Sequence, residues 1–200
     1  MPKDERVPFS PVQCQQIKAA YPHIDLVVQR SAVRRFKDEE YAAQGIELVD
    51  SLSDCDILLG VKEVPLDQLI SDKVYFFFSH TIKQQPHNRQ LLRALLAKNI
   101  TMIDYECLTN SMGFRLIGFG RYAGIVGCYN TFYAFGQRSG AFCLKRAYMC
   151  TDRSEMESEL AKVTLPKDYK IVLTGDGRVA NGALEIISKL VIKKHFVLIK

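Results

Sequence analysis

Short apolar runs alternate with amphipathic stretches along the chain, and the alternation predicts strands and helices in turn. Ser10-Pro11 sets a capping residue before a proline at the first helical position, which predicts a helix to about Tyr21. Ile24 to Gln29 is apolar and β-branched at several positions and predicts a strand. Asp38 is expected to cap a short helix through Gln44, with Gly45 ending it. Ile46 to Val49 and Ile57 to Leu59 read as short strands. Val74-Tyr75-Phe76-Phe77-Phe78 is apolar on both faces, as a buried central strand of a parallel sheet would be. The helix expected from about Pro86 to Lys98 carries Leu91, Leu92, Leu95 and Leu96 as one apolar stripe, and Thr101 to Tyr105 returns to a strand. This order predicts the α/β class, with a doubly wound, mostly parallel, Rossmann-like sheet.

From Gly118 the pattern changes. Gly118, Gly120, Gly124 and Gly127 precede Tyr129, Phe132, Tyr133 and Phe135. A helix of small residues packed closely on another element is expected here, with a glycine-rich loop as the alternative. Ser154 to Ala161 reads as a polar helix, Ser154 and Glu157 standing at capping-box spacing. Leu165-Pro166-Lys167-Asp168 is the expected domain boundary. Ile171-Val172-Leu173 then forms a strand, followed by Gly175-Asp176-Gly177-Arg178-Val179-Ala180 and a helix to Leu190. The six residues fit G-x-G-x-x-A between strand and helix, the start of a dinucleotide-binding domain. Gly175 would allow the tight turn, Gly177 the approach of a pyrophosphate to the backbone, and Ala180 close helix–strand packing. An ordinary glycine-rich turn is the plainer alternative. His195 to Ile199 reads as the next strand, within the apolar and basic stretch Val191 to Lys200. The expected organisation is an N-terminal domain over 1–117, a helix and linker over 118–165, and an incomplete second Rossmann domain over 166–200.

Composition narrows the function. In 200 residues, 48% are hydrophobic and 24% charged, which fits a chain with a core and not a disordered one. The net charge of +5 is spread along the chain, and Arg34-Arg35 and Lys193-Lys194 are too short to mark a nucleic-acid surface. A modest positive charge suits an anionic small molecule. The six cysteines include no C-x-x-C pair and are expected to be reduced and mostly buried, as in a cytoplasmic protein. Met1 to Arg6 lacks the apolar run of a signal peptide, no stretch is long enough to span a membrane, and no metal site is expected.

The candidate chemistry lies after strands. Lys62 and Glu63 follow Ile57 to Gly60, and His80 follows Val74 to Phe78. Open α/β sheets bind ligands at the carboxyl ends of their strands, so the two titratable groups are expected to meet. A lysine and a histidine there suit acid–base work. Taken singly, Lys62 reads as a solvated surface lysine and His80 as the cap of a turn. Arg6 could clamp a carboxylate or simply face solvent.

Five segments occur in a telling order: Arg6-Val7-Pro8 before the Ser-Pro helix start, Gly60-Val61-Lys62-Glu63, Phe78-Ser79-His80-Thr81-Ile82-Lys83, Asp104-Tyr105-Glu106, and Phe119-Gly120-Arg121-Tyr122-Ala123-Gly124. Together they resemble the N-terminal region of the alanine dehydrogenase and pyridine-nucleotide transhydrogenase superfamily. Within it they are most similar to lysine-forming saccharopine dehydrogenases and the related lysine–ketoglutarate reductase domain. The resemblance implies two Rossmann-like domains with a cleft between them, and a crossing helix from Gly120 to about Gly136. It implies that Arg6 binds substrate carboxylate, that Lys62 and His80 are the acid–base pair, and that Glu63 and Glu106 tune that pair. Arg6 and Lys83 suit a substrate with three carboxylates. Gly175 and Gly177 would bind NAD or NADP.

The implied reaction is reversible oxidative deamination of saccharopine to lysine and 2-oxoglutarate. An alanine dehydrogenase-like activity is the near alternative. A remnant that binds a carboxylate ligand or a partner chain without catalysis is the distant one. Members of the family are longer, so little turnover is expected of these 200 residues alone, with self-association or a complementing chain left open.

Overall fold

The computed structural model describes residues 4–190 and 196–199, and the strands and helices follow one another in the predicted order. Helix α1 (Pro11–Ala20) starts at Ser10, whose hydroxyl accepts from the Gln13 amide while the Gln13 side chain accepts from the Ser10 amide. Each partner satisfies a backbone or side-chain group that the helix start would leave open. Strand β1 (Val27–Gln29) is shorter than Ile24 to Gln29 and pairs in parallel with β2 (Glu47–Val49). Between them, α2 (Asp38–Ala42) is capped at Lys37, not at Asp38. The Asp38 carboxylate is occupied by the guanidinium of Arg34 and by the Ser31 amide, so it is not available to cap. Gly45 supplies the left-handed turn, at φ +69°.

The second ladder orders β3 (Ile57–Leu59), β4 (Val74–Phe77) and β5 (Thr101–Asp104), all parallel, with β4 in the middle. Its core comprises Leu58, Leu69, Tyr75, Phe77, Leu91 and Leu95. Helix α3 (Arg89–Ala97) corrects the expected four-leucine stripe: Leu91 and Leu95 are buried, whereas Leu92 is 44% and Leu96 72% exposed. Residues one apart on a helix point in different directions, so i and i+4 share the core face and i+1 and i+5 leave it. A smaller core of Cys14, Tyr41 and Ile46 joins α1 and α2 to β1 and β2.

Backbone contacts divide the chain into two units, Met1–Ile117 and Gly118–Lys200. The second unit begins with α4 (Gly120–Ser139), a 20-residue helix ended by left-handed Gly140. It packs on α6 (Arg178–Ile187), and two glycines set the distance. A Cβ added at Gly124 would lie 1.9 Å from the Val179 carbonyl oxygen, and one at Gly182 2.0 Å from that of Arg121. The small residues therefore serve a close helix crossing, as expected. Helix α5 (Arg153–Glu159) is capped by Asp152 through the Glu155 amide, two residues before the predicted Ser154. The segment 165–168 lies inside this unit, where Leu165 packs against a core of Ile125, Tyr129, Phe132, Leu144, Met156, Leu160 and Ile186. Strands β6 (Ile171–Thr174) and β7 (Phe196–Ile199) pair in parallel. Of the predicted strand His195 to Ile199, His195 lies outside the described residues.

The cysteines are all free, but Cys14 alone is buried, while Cys107 and Cys143 are exposed, which overturns the expectation of mostly buried thiols. Among the described residues no helix is long and apolar enough to cross a membrane.

Candidate acid–base site

Three parallel strands bring their carboxyl ends to one edge. Leu59 is level with Phe76, and Phe77 with Asp104. The ladder continues past the strand ends, since the Gly60 amide donates to the Phe76 carbonyl and the Phe78 amide to the Val61 carbonyl. Lys62, His80 and Glu106 leave the sheet at this edge within a few residues of their strands.

His80 joins them. Its Nδ1 lies 2.9 Å from Glu106 Oε2, and its Nε2 lies 3.5 Å from Lys62 Nζ. Glu106 is buried, and its Oε1 also meets Lys83 Nζ at 3.0 Å and Arg115 at 2.8 Å. The hydrogen bond from His80, and then Lys83 and Arg115, hold its carboxyl down at about 2 against the opposing effect of burial. Glu106 is therefore a carboxylate at neutral pH and can only accept. Lys83 Nζ also approaches His80 Nδ1, at 3.3 Å, but Glu106 Oε2 is nearer and can only accept, so the proton of a neutral His80 belongs on Nδ1, which leaves the Nε2 lone pair facing Lys62. The His80 ring stacks on Phe78, with centroids 6.2 Å apart and planes at 26°. The arrangement can exchange a proton between lysine and imidazole while the carboxylate balances an imidazolium.

Other candidates stand apart from this chain of contacts. Arg6 forms a two-point pair with Asp4, at 2.8 and 2.5 Å. Arg6, and more weakly Lys62, draw the Asp4 carboxyl below its ordinary range. Glu63 is exposed, and among the described residues no hydrogen bond or ion pair ties it to Lys62 or His80. His80 does head a single helical turn, Thr81–Lys83, but with its backbone and not its ring.

Four participants carried no assigned role in the sequence. Asp104 and Ser79 are buried polar residues beneath His80, and Asn88 is buried with its amide on the His80 carbonyl. A carboxylate closing the otherwise apolar run from Thr101 was the readable signal for Asp104. Arg115 offered none: it reaches Glu106 from a hairpin closed by the Thr109–Arg115 bridge.

In the second unit, the residues of the G-x-G-x-x-A pattern form the turn between β6 and α6. Gly175 has φ +85°, Gly177 caps α6 without a side chain, and Ala180 is buried. Asn181 donates to the carbonyls of Asp176 and Gly177, at 2.9 and 3.1 Å. A Cβ at Gly175 or Gly177 would meet nothing within 4 Å. The turn thus leaves open space beside both glycines at a helix start.

The first unit is thus a parallel α/β domain that gathers a lysine, a histidine and a buried carboxylate at the carboxyl edge of its three-stranded ladder. The chain belongs to the alanine dehydrogenase/PNT N-terminal domain family, whose model matches residues 1–126. Alpha-aminoadipic semialdehyde synthase of Arabidopsis thaliana is 33% identical over 94% of this chain and 20% of its own length. The lysine-forming, NAD(+) saccharopine dehydrogenase of Emericella nidulans is 33% identical over 63% of this chain and 35% of its own. The chain thus spans about a fifth to a third of the length of these curated relatives. In fold it is like an L-alanine dehydrogenase, with a TM-score of 0.62 and 17% identity over 93% of this chain and 49% of the other. A transhydrogenase from Sinorhizobium meliloti gives 0.63 and 19%, over 99% and 55%.

Proposed function

We propose that residues 1–117 form the substrate-handling, acid–base part of an amino-acid dehydrogenase acting on saccharopine in lysine metabolism. The observation that carries this reading is the Lys62–His80–Glu106 relay, at 3.5 and 2.9 Å. A secondary amine gives up a hydride from its carbon only when its nitrogen lone pair is free. Lys62 accepts the amine proton, and His80 Nε2 is within reach to take it on. His80 then guides protons as water adds to the imine carbon and as the carbinolamine separates into an amine and a 2-oxo acid. Glu106 keeps the imidazole in the tautomer that offers Nε2 and offsets its charge when protonated. Lys83, Arg115 and Arg6 supply the positive field that substrate carboxylates require.

The open turn at Gly175 and Gly177, with Ala180 behind it, fits the pyrophosphate of NAD or NADP, and the nicotinamide when bound supplies the hydride acceptor. Two measurements test the proposal. Calorimetric titration with saccharopine and with 2-oxoglutarate is expected to show binding, and absence of heat with both sinks the substrate assignment. In a saccharopine-dependent cofactor reduction assay of the chain supplemented with a complementing cofactor-binding chain, Lys62→Met and His80→Gln are each expected to lower turnover by about 10²–10⁴-fold. Undiminished turnover in both variants removes the acid–base assignment.

A further inference from the structure

His80 has φ +56° and ψ 12°, a left-handed conformation that is strained for a residue with a side chain. Something must hold it there. Its amide donates to Asp104 Oδ2 at 3.1 Å, and its carbonyl accepts from Asn88 Nδ2 at 3.2 Å and from the Lys83 amide at 3.1 Å. Asp104 Oδ2 also accepts from the hydroxyl of Ser79, at 2.6 Å, and Ser79 is fully buried. The other carboxylate oxygen, Oδ1, accepts from the Glu106 amide at 2.8 Å. One buried carboxylate at the end of β5 therefore grips the backbone of both members of the His80–Glu106 pair.

We infer that Asp104 is a positioning residue: through its two oxygens it fixes the His80 backbone in the left-handed state and registers Glu106 beneath the ring, so that Nδ1 meets the carboxylate and Nε2 faces Lys62. The inference rests on the acid–base reading of Lys62 and His80, but its mechanical content does not need turnover. Among the described residues no hydrogen bond or ion pair joins Asp104 to Lys62 or to the His80 ring. It acts through main-chain amides 24 and 2 residues away. The chemistry requires a carboxylate here and not an amide. Three donors, the Ser79 hydroxyl and the amides of His80 and Glu106, converge on it from two sides, and only a group that accepts at both oxygens satisfies them all. In Asp104→Asn, the NH2 group faces a donor on one side or the other, and one of the two backbones is released.

The test reads the imidazole itself. Long-range ¹H–¹⁵N correlation spectra of the whole chain with labelled histidines, with His80 assigned against His80→Gln, are expected to show neutral His80 as the Nδ1–H tautomer. In Asp104→Asn that single tautomer is expected to give way to exchange-averaged nitrogen shifts. A merely structural contribution would lower the melting temperature without moving the tautomer. Asp104→Asn folded by circular dichroism, with His80 still in the Nδ1–H form, overturns the inference. Where Asp104→Asn does not fold, Ser79→Ala decides the matter: it withdraws one donor from Oδ2 and is expected to give a partial loss of the Nδ1–H form, and an unchanged spectrum overturns the inference. Glu106→Gln is the control, because it disturbs the tautomer without touching Asp104. These spectra need no cofactor or substrate, so their outcome is separate from that of the turnover assay.

Discussion

At the residue scale the site is organised by one buried anion with three cationic or hydrogen-bonding partners. Glu106 is held at about 2 in the fold, against 4.5 when free, so folding favours its ionised form. A lowered carboxyl stabilises above the free value and loses that contribution as pH falls through the folded one. Stability is therefore expected to drop between about pH 4.5 and 2 by up to about 3 kcal/mol, less in practice because Lys83 and Arg115 are solvent-screened. Glu106→Gln should flatten this part of the curve, which urea titrations at stepped pH would measure. A wild-type slope unchanged in Glu106→Gln counts against the ion cluster. Lys62 and His80 were legible because each follows an apolar strand, a position that parallel topology turns into proximity. Glu106 was legible through the resemblance of Asp104-Tyr105-Glu106 to a family segment. Arg115 was not, because its contact depends on how an exposed hairpin folds back, and no periodicity encodes that. Glu63 shows the converse: it is next to Lys62 in sequence and exposed, and among the described residues no hydrogen bond or ion pair joins it to the cluster.

At the scale of elements, strand order and helix starts were largely written in the chain, whereas capping residues slipped by a position or two. Ser10 caps as expected because its partner Gln13 lies three residues on and nothing competes for it. Asp38 does not cap because Arg34, nearly buried itself, captures its carboxylate. Competition of that kind is tertiary and invisible to a local pattern. The glycines of α4 and α6 were legible as small residues but not as a matched pair, since only the crossing reveals which backbone each approaches. Gly124→Ala would drive a methyl into the Val179 carbonyl and should destabilise the second unit by about 3 kcal/mol or more, at the upper end of overpacking. Gly127→Ala, where a Cβ meets nothing within 4 Å, should be neutral or mildly stabilising by roughly 0.5–1 kcal/mol through helix propensity. Urea midpoints of the two variants make the comparison, and equal midpoints would contradict the close crossing.

At the scale of the molecule, each unit has a core of its own. The stretch 111–119, which runs from the end of the first unit into the start of the second, is exposed throughout, with Met112, Phe114, Leu116 and Phe119 exposed. Limited chymotrypsin digestion is therefore expected to cut first at Phe114, Leu116 or Phe119 and to leave two resistant fragments, identified by mass spectrometry. First cuts inside β4 or β5 would mean that the three-stranded ladder is not the stable heart of the first unit.

The left-handed backbone at His80 has a consequence for how this position can change over generations. Glycine adopts that conformation freely, whereas histidine, like asparagine and aspartate, enters it more readily than other side chains but still at a standing cost. In a lineage released from the need to move protons, sequence drift at position 80 should run toward glycine before other residues, because that exchange keeps the turn and removes the strain. The residue at position 80 would then act as a gauge of selection, its loss preceding any visible decay of the surrounding fold.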